Sequence, residues 1–196
     1  MIPSPVSAVD WLAWSQQLKT LDRMLHLRGY TSITGIMHGS DPLLVCSART
    51  VSGETLFVYF VSENKVGVKT LRKIQVECEE ASCKHIILVT EDGLTHFAQR
   101  ELDDPEKTCS SVIEIFKKKD LAFCVVDHCL VPKHTMLSSG EKKALLQKIG
   151  CKASVLPRLK ETDPVARFMR FPIGSIVKIQ RNIGTSQEEY YRLVTS

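Results

Sequence analysis

Three short, unalternated apolar runs constrain this chain more than any other feature: Leu56-Phe57-Val58-Tyr59-Phe60-Val61, Ile86-Ile87-Leu88-Val89 and Phe123-Cys124-Val125-Val126. A strand with one wet face alternates apolar and polar residues, whereas an unbroken run needs cover on both faces, as in a parallel sheet. Helix-like sequence joins the runs. Residues 68–81 place Leu71, Ile74 and Cys78 on one helical face, and residues 94–102 and 110–119 are expected as two further helical stretches around Asp103-Asp104-Pro105. Upstream, Trp11, Trp14, Leu18, Leu21 and Leu25 recur every three or four residues, the stripe of an amphipathic helix. Ser7 with Asp10 suggests its capping box, and Arg28-Gly29 its basic last turn and terminating glycine. Residues 31–53 are expected as strand and loop. This part of the chain therefore reads as α/β, a mostly parallel sheet flanked by helices.

From His128 onward the pattern changes. Ser138-Ser139-Gly140-Glu141 is a capping box before a short helix with Leu145, Leu146 and Ile149, closed by Gly150. Residues 175–181 and 189–194 suggest two strands joined by a loop, so a second, smaller α+β domain is expected over 128–196, after a first over 1–127. Charge divides along the same line. Residues 127–196 carry 12 Lys/Arg against 6 Asp/Glu, which leaves 14 against 16 in the remainder of a chain of net charge +4. Two units facing different partners would have this asymmetry, though it does not choose between nucleic acid and an acidic protein. With 43% hydrophobic residues, 10 Gly and 8 Pro, collagenous and wholly disordered readings fall away. No apolar run approaches the ~18 residues of a membrane span, so no membrane association is expected. The start of the chain lacks the pattern of a secretory signal, and the seven cysteines are expected as free thiols.

The second unit carries Leu130-Val131-Pro132-Lys133-His134, Leu137-Ser138, Leu156-Pro157-Arg158, Asp163-Pro164-Val165-Ala166-Arg167, Gly174, Val177-Lys178-Ile179 and Tyr191-Arg192-Leu193-Val194. In order and spacing this string resembles the assembly domain of the fifth-largest subunit shared by eukaryotic nuclear RNA polymerases, a domain with a small archaeal homologue. Arg28-Gly29-Tyr30 and Val66-Gly67-Val68-Lys69-Thr70-Leu71 resemble the jaw domain of the same family. The resemblance implies a non-catalytic subunit without cofactor or small-molecule substrate, located in the nucleus. It also implies that the C-terminal domain docks on the largest polymerase subunit and the N-terminal jaw lies near downstream duplex DNA. Two stretches depart from the family. Its Ser-Glu-Thr-Ala/Ser-Gly loop is replaced by residues 182–189, and its Thr-Pro-Ser-Ala by Thr95-His96-Phe97-Ala98, divergence that would suit a paralogue dedicated to one polymerase class.

Candidate interface residues are Pro132, Lys133, His134, Pro157, Arg158, Asp163, Pro164 and Arg167. Proline pushes the residue before it toward extended backbone, so Asp163 is poised to cap a short helix starting at Pro164, with Arg167 one turn on. Its alternative role is an internal cap and ion pair. Lys133 and His134 could equally belong to a solvated linker. Candidate DNA-proximal residues are Lys69, Arg72, Lys73, Thr95, His96 and Arg100, since basic side chains at a helix start can track phosphates; a solvated basic face is the plainer account. Lys117-Lys118-Lys119 is short for a nuclear signal and reads as a solvated helix end. Cys78-x4-Cys83-x-His85 and Cys124-x3-His128-Cys129 hold zinc-ligand residue types without the usual spacing. Asp41 with Glu63-Asn64-Lys65 is similar to the carboxylate–lysine set of magnesium nucleases, but it lacks a third acid. The alternatives to a polymerase subunit are thus a free-standing nucleic-acid-binding adaptor and, remotely, a magnesium-dependent nuclease.

Overall fold

The computed structural model describes the backbone of residues 8–38, 43–50, 53–104, 111–183 and 186–196, and the side chains of 15–31, 46–50, 53–104, 111–181 and 186–196. The chain divides into two compact units, Met1–Phe123 and Cys124–Ser196.

The first unit opens with helix α1 (Ala8–Leu27), whose Leu21, Met24 and Leu25 are buried. Gly29, at φ 87°, takes the left-handed conformation that ends the helix. Ser7, the expected cap, lies outside the described residues. Strands β1 (Tyr30–His38), β2 (Leu43–Thr50) and β3 (Thr55–Phe60) follow, then α2 (Val68–Glu80), β4 (His85–Thr90), α3 (His96–Asp103) and β5 (Val112–Lys117). They form one sheet in the order β1-β2-β3-β4-β5, antiparallel from β1 to β3 and parallel from β3 to β5. On one face, Tyr59, Val61, Ile86 and Leu88 pack with Ile74 and Cys78 of α2. Leu56, Val58, Phe60, Ile87 and Val89 alternate onto the other face and are equally buried. Cover on both faces is what the two runs 56–61 and 86–89 require.

The third parallel strand is not where the apolar runs place it. Residues 110–119, expected as helix, contain β5 followed by a 3-10 turn (Lys118–Leu121). Ile113, Phe116 and Lys117 mimic helical spacing, but the β-branched and aromatic residues of Val-Ile-Glu-Ile-Phe suit the sheet. The lysine run accordingly ends a strand, with Lys118 paired to Glu91 at 2.7 Å. Phe123–Val126, expected as strand, is a turn leading into a 3-10 segment (Val125–Asp127), with Phe123 exposed. At the edge of the sheet, Arg28 forms a two-pronged ion pair with Glu114 of β5, at 2.8 and 3.2 Å, and lies over the Phe116 ring.

The second unit contains β6 (Lys133–Met136), α4 (Ser139–Ile149), β7 (Arg158–Lys160), α5 (Pro164–Met169), β8 (Ile176–Ile183) and β9 (Ser186–Thr195). Its sheet runs β6-β8-β9-β7, so β6 and β7 are the edges; β7 is parallel to β9 and the other pairings are antiparallel. Leu159, Ala166, Phe171, Val177, Ile179 and Val194 form its core. The capping box of α4 forms as expected, Ser138 and Glu141 each bonding the other's backbone N–H, and Gly150 closes the helix at φ 69°. Of the expected 182–189 loop, residues 182–183 and 186–189 belong to the strands, paired as far as Ile183↔Ser186.

Candidate functional site

Sequence motifs that lie far apart converge on one face of the second unit. His134 on β6 stands opposite Ile179 of β8, which stands opposite Tyr190 of β9. His134 Nδ1–H donates to the Pro132 carbonyl at 2.7 Å, which leaves Nε2 as an acceptor. Burial pulls the half-buried ring below its usual pKa. The Pro132 carbonyl and Asp163 oppose that shift, and Arg181 and Arg192 add to it. Asp163 and the two arginines therefore lie within electrostatic reach of His134. Arg181 stacks on the Tyr190 ring at 5.2 Å, and Arg192 donates to the Arg158 carbonyl at 3.4 Å. A cavity of about 670 Å³, lined by residues including Pro132, Lys133, Gln180 and Arg181, opens beside the start of β6.

Asp163 is the N-cap of α5. Its Oδ1 accepts from the N–H groups of Val165 and Ala166 at 2.9 and 3.4 Å, and Pro164 fills the first helical position. Lys133, Pro157, Arg158 and Pro164 are exposed, whereas Pro132 and Arg167 are half-buried. Lys133 and Arg158 thus sit on opposite edges of the sheet rather than in one cluster. Sequence reasoning passed over Arg181 and Arg192 as site residues. A signal existed: both fall on the inward parity of their strands, shared with Val177, Ile179 and Val194, just where apolar residues stop.

In the first unit, the loops after β3 and β4 are joined by backbone bonds from Val66 N to Gly93 O, Thr95 N to Val66 O and Asp92 N to Asn64 O, all 2.9–3.0 Å. This joins the starts of α2 and α3 at the carboxyl ends of the parallel strands, the position where open α/β sheets present their ligand-contacting groups. Lys69, Arg72, Lys73, His96 and Arg100 are exposed there. One expectation needs refining: Arg72 is paired with Glu101 of α3, so its charge is partly neutralised. Thr95 caps α3, its hydroxyl accepting from Ala98 N–H at 3.3 Å, so residues 95–98 begin the helix expected over 94–102. Phe97 beside them, 73% exposed, was not singled out by sequence. Glu63 holds the start of α2, accepting from Thr70 Oγ1 at 2.8 Å and Gly67 N–H at 3.4 Å; its partner in the nuclease reading, Asp41, lies outside the described residues. Among the described residues no group of three His, Cys, Asp or Glu side chains is arranged to hold a metal, and no helix is long and apolar enough to cross a membrane.

Residues 123–194 match the family described as RNA polymerase Rpb5, C-terminal domain. Over 156 residues the chain is 31% identical to the DNA-directed RNA polymerases I, II, and III subunit RPABC1 of Caenorhabditis briggsae, across 79% of this chain and 73% of that protein. Identity and coverage are the same for the Caenorhabditis elegans protein. The subunit of the same description from Dictyostelium discoideum is 31% identical over 138 residues, 70% of each chain. The likeness thus extends well beyond the C-terminal motifs and through most of the α/β unit, and the chain belongs to the family of the RNA polymerase subunit RPABC1, or Rpb5.

Proposed function

We propose that this chain is a non-catalytic subunit of a nuclear DNA-directed RNA polymerase and works among other polymerase subunits. Residues 128–196 dock on the largest subunit, and residues 1–127 form part of the jaw beside downstream duplex DNA. One observation carries the docking reading: while Val165, Ala166, Val177, Ile179 and Val194 of these motifs are buried, their polar residues lie at or near the surface of the second unit. Lys133 and His134 lie on one edge strand, Arg158 on the other, and Asp163 caps a helix whose Arg167 is half-buried. Exposed strand edges invite pairing with another chain, and half-buried arginine is a common anchor of protein interfaces. For the jaw, the paired helix starts of α2 and α3 offer N–H groups and basic side chains, which attract phosphates without reading bases.

Because Asp163 also caps α5, its test uses a substitution that keeps the cap. Asp163→Asn combined with Arg167→Ala is expected to reduce co-purification of the tagged chain with the largest polymerase subunit from nuclear extract. Recovery equal to wild type overturns the docking assignment. A jaw that meets DNA only within an assembly should bind isolated duplex weakly at about 0.15 M salt. Tight binding by the chain alone would instead favour the adaptor reading.

A further inference from the structure

The end of α2 brings two cysteines together. Ser82, at φ 52°, turns the chain left-handed, Ser82 N–H bonds Glu79 O at 3.0 Å, and Cys83 N–H bonds Cys78 O at 2.8 Å. This pair of bonds is a Schellman motif, which brings the residue just past the turn back onto the residue three places from the helix end. Those two positions usually make an apolar contact. Here both are thiols, packed in one cluster and hydrogen-bonded to each other.

Cys83 also lines a surface cavity of about 540 Å³, with Glu79, Ser82, Lys84, His85 and Val112. Its thiol donates to the His85 carbonyl at 2.9 Å. The Cys78 thiol lowers the pKa of Cys83 to about 7, helped by the backbone of His85 and Phe57 and opposed by burial. By contrast, burial and Asp22 push Cys46 up to about 12. Cys83 is thus a buried thiol, 4% exposed, at the wall of a cavity with a second thiol packed against it, and a pair of thiols in contact can be oxidised to a disulfide.

We propose that Cys83 and Cys78 are a dithiol site for peroxide, closing to a disulfide at the end of α2. The Cys83 thiolate attacks the O–O bond, takes one oxygen as sulfenic acid, and the other oxygen leaves as water. The Cys78 sulfur then displaces the sulfenic oxygen as a second water and forms the S–S bond. Two thiols and one hydrogen peroxide thus give one disulfide and two waters, the peroxide accepting both electrons. The proposal does not depend on the docking or jaw assignments.

Trypsin cleavage after Lys73 and Lys84 releases one peptide, residues 74–84, containing both cysteines and no others. The folded full chain is treated with hydrogen peroxide, quenched in acid, unfolded, alkylated and digested. The 74–84 peptide is expected to lose two hydrogens, resist alkylation and recover both thiols with dithiothreitol, while Cys46 stays alkylatable. Conversion is expected to be severalfold faster in the folded chain than in urea. In Cys78→Ser, dimedone is expected to trap Cys83 as its sulfenic acid. The proposal is overturned if residues 74–84 keep two alkylatable thiols at doses that oxidise exposed Cys129. Equal conversion in urea, or oxidation of Cys83 beyond sulfenic acid without the bond, overturns it as well. The mapping uses wild-type protein, so it decides the matter even where the variant does not fold.

Discussion

Arg28 illustrates how one residue ties distant sequence together. Its position after α1 suggests a basic helix end that interacts favourably with the helix dipole. The folded chain uses it differently, burying its side chain to 3% exposure against Glu114, 86 positions away. Removing one partner leaves the other carboxylate poorly solvated, so Arg28→Ala is expected to cost about 3 kcal/mol in urea denaturation. The double variant with Glu114→Ala should recover part of that loss; a double variant as unstable as the sum of the singles would dismiss the coupling. Cys78 and Ser82 have the same character. Cys78 reads correctly as an apolar helix-face residue, but a left-handed serine has no sequence signature comparable to glycine, so the Cys78–Cys83 contact was not legible.

At the level of elements, end signals were read more reliably than identities. Gly29, the Ser138–Glu141 box, Gly150 and Asp163-Pro164 all act where sequence places them, because a cap is decided by residues within four positions. β5 is ambiguous in sequence because six residues, Val-Ile-Glu-Ile-Phe-Lys, are too few to fix a period, and only pairing with β4 decides between helix and strand. β6 and β7, of four and three residues, are too short to show a period at all. The α4 cap also yields a pH dependence. Ser138's hydroxyl and N–H bond the Glu141 carboxylate and hold its pKa below the ordinary carboxylate range. The unfolded chain therefore binds more protons there, and the cap's contribution is complete above the unfolded pKa and lost as pH falls through the folded value. The amide protons of α4 should lose exchange protection on acidification, and Glu141→Gln should flatten that response. An unchanged profile in the variant would show that another group is responsible.

For the whole molecule, the division into Met1–Phe123 and Cys124–Ser196 gives each unit its own sheet and core. Residues 124–196 expressed alone are accordingly expected to melt in a single cooperative transition; a gradual, non-cooperative melt would mean that this core is insufficient. The charge asymmetry acquires a different meaning in the proposed assembly, where the slightly acidic unit lies near DNA and the basic unit meets protein. In that proposal the basic side chains of two helices, Lys69 and Lys73 on α2 and Arg100 on α3, would matter more to phosphate than the net charge of the domain carrying them. By itself the sequence determined the α/β class, the buried strands 56–61 and 86–89, the helix caps and the family, because these follow from local periodicity and short motifs. Only tertiary structure decided which segment completes the parallel sheet, which motifs share a face around His134, and which thiols meet. Those outcomes depend on strand pairing and chain reversal between residues whose separation carries no local signal.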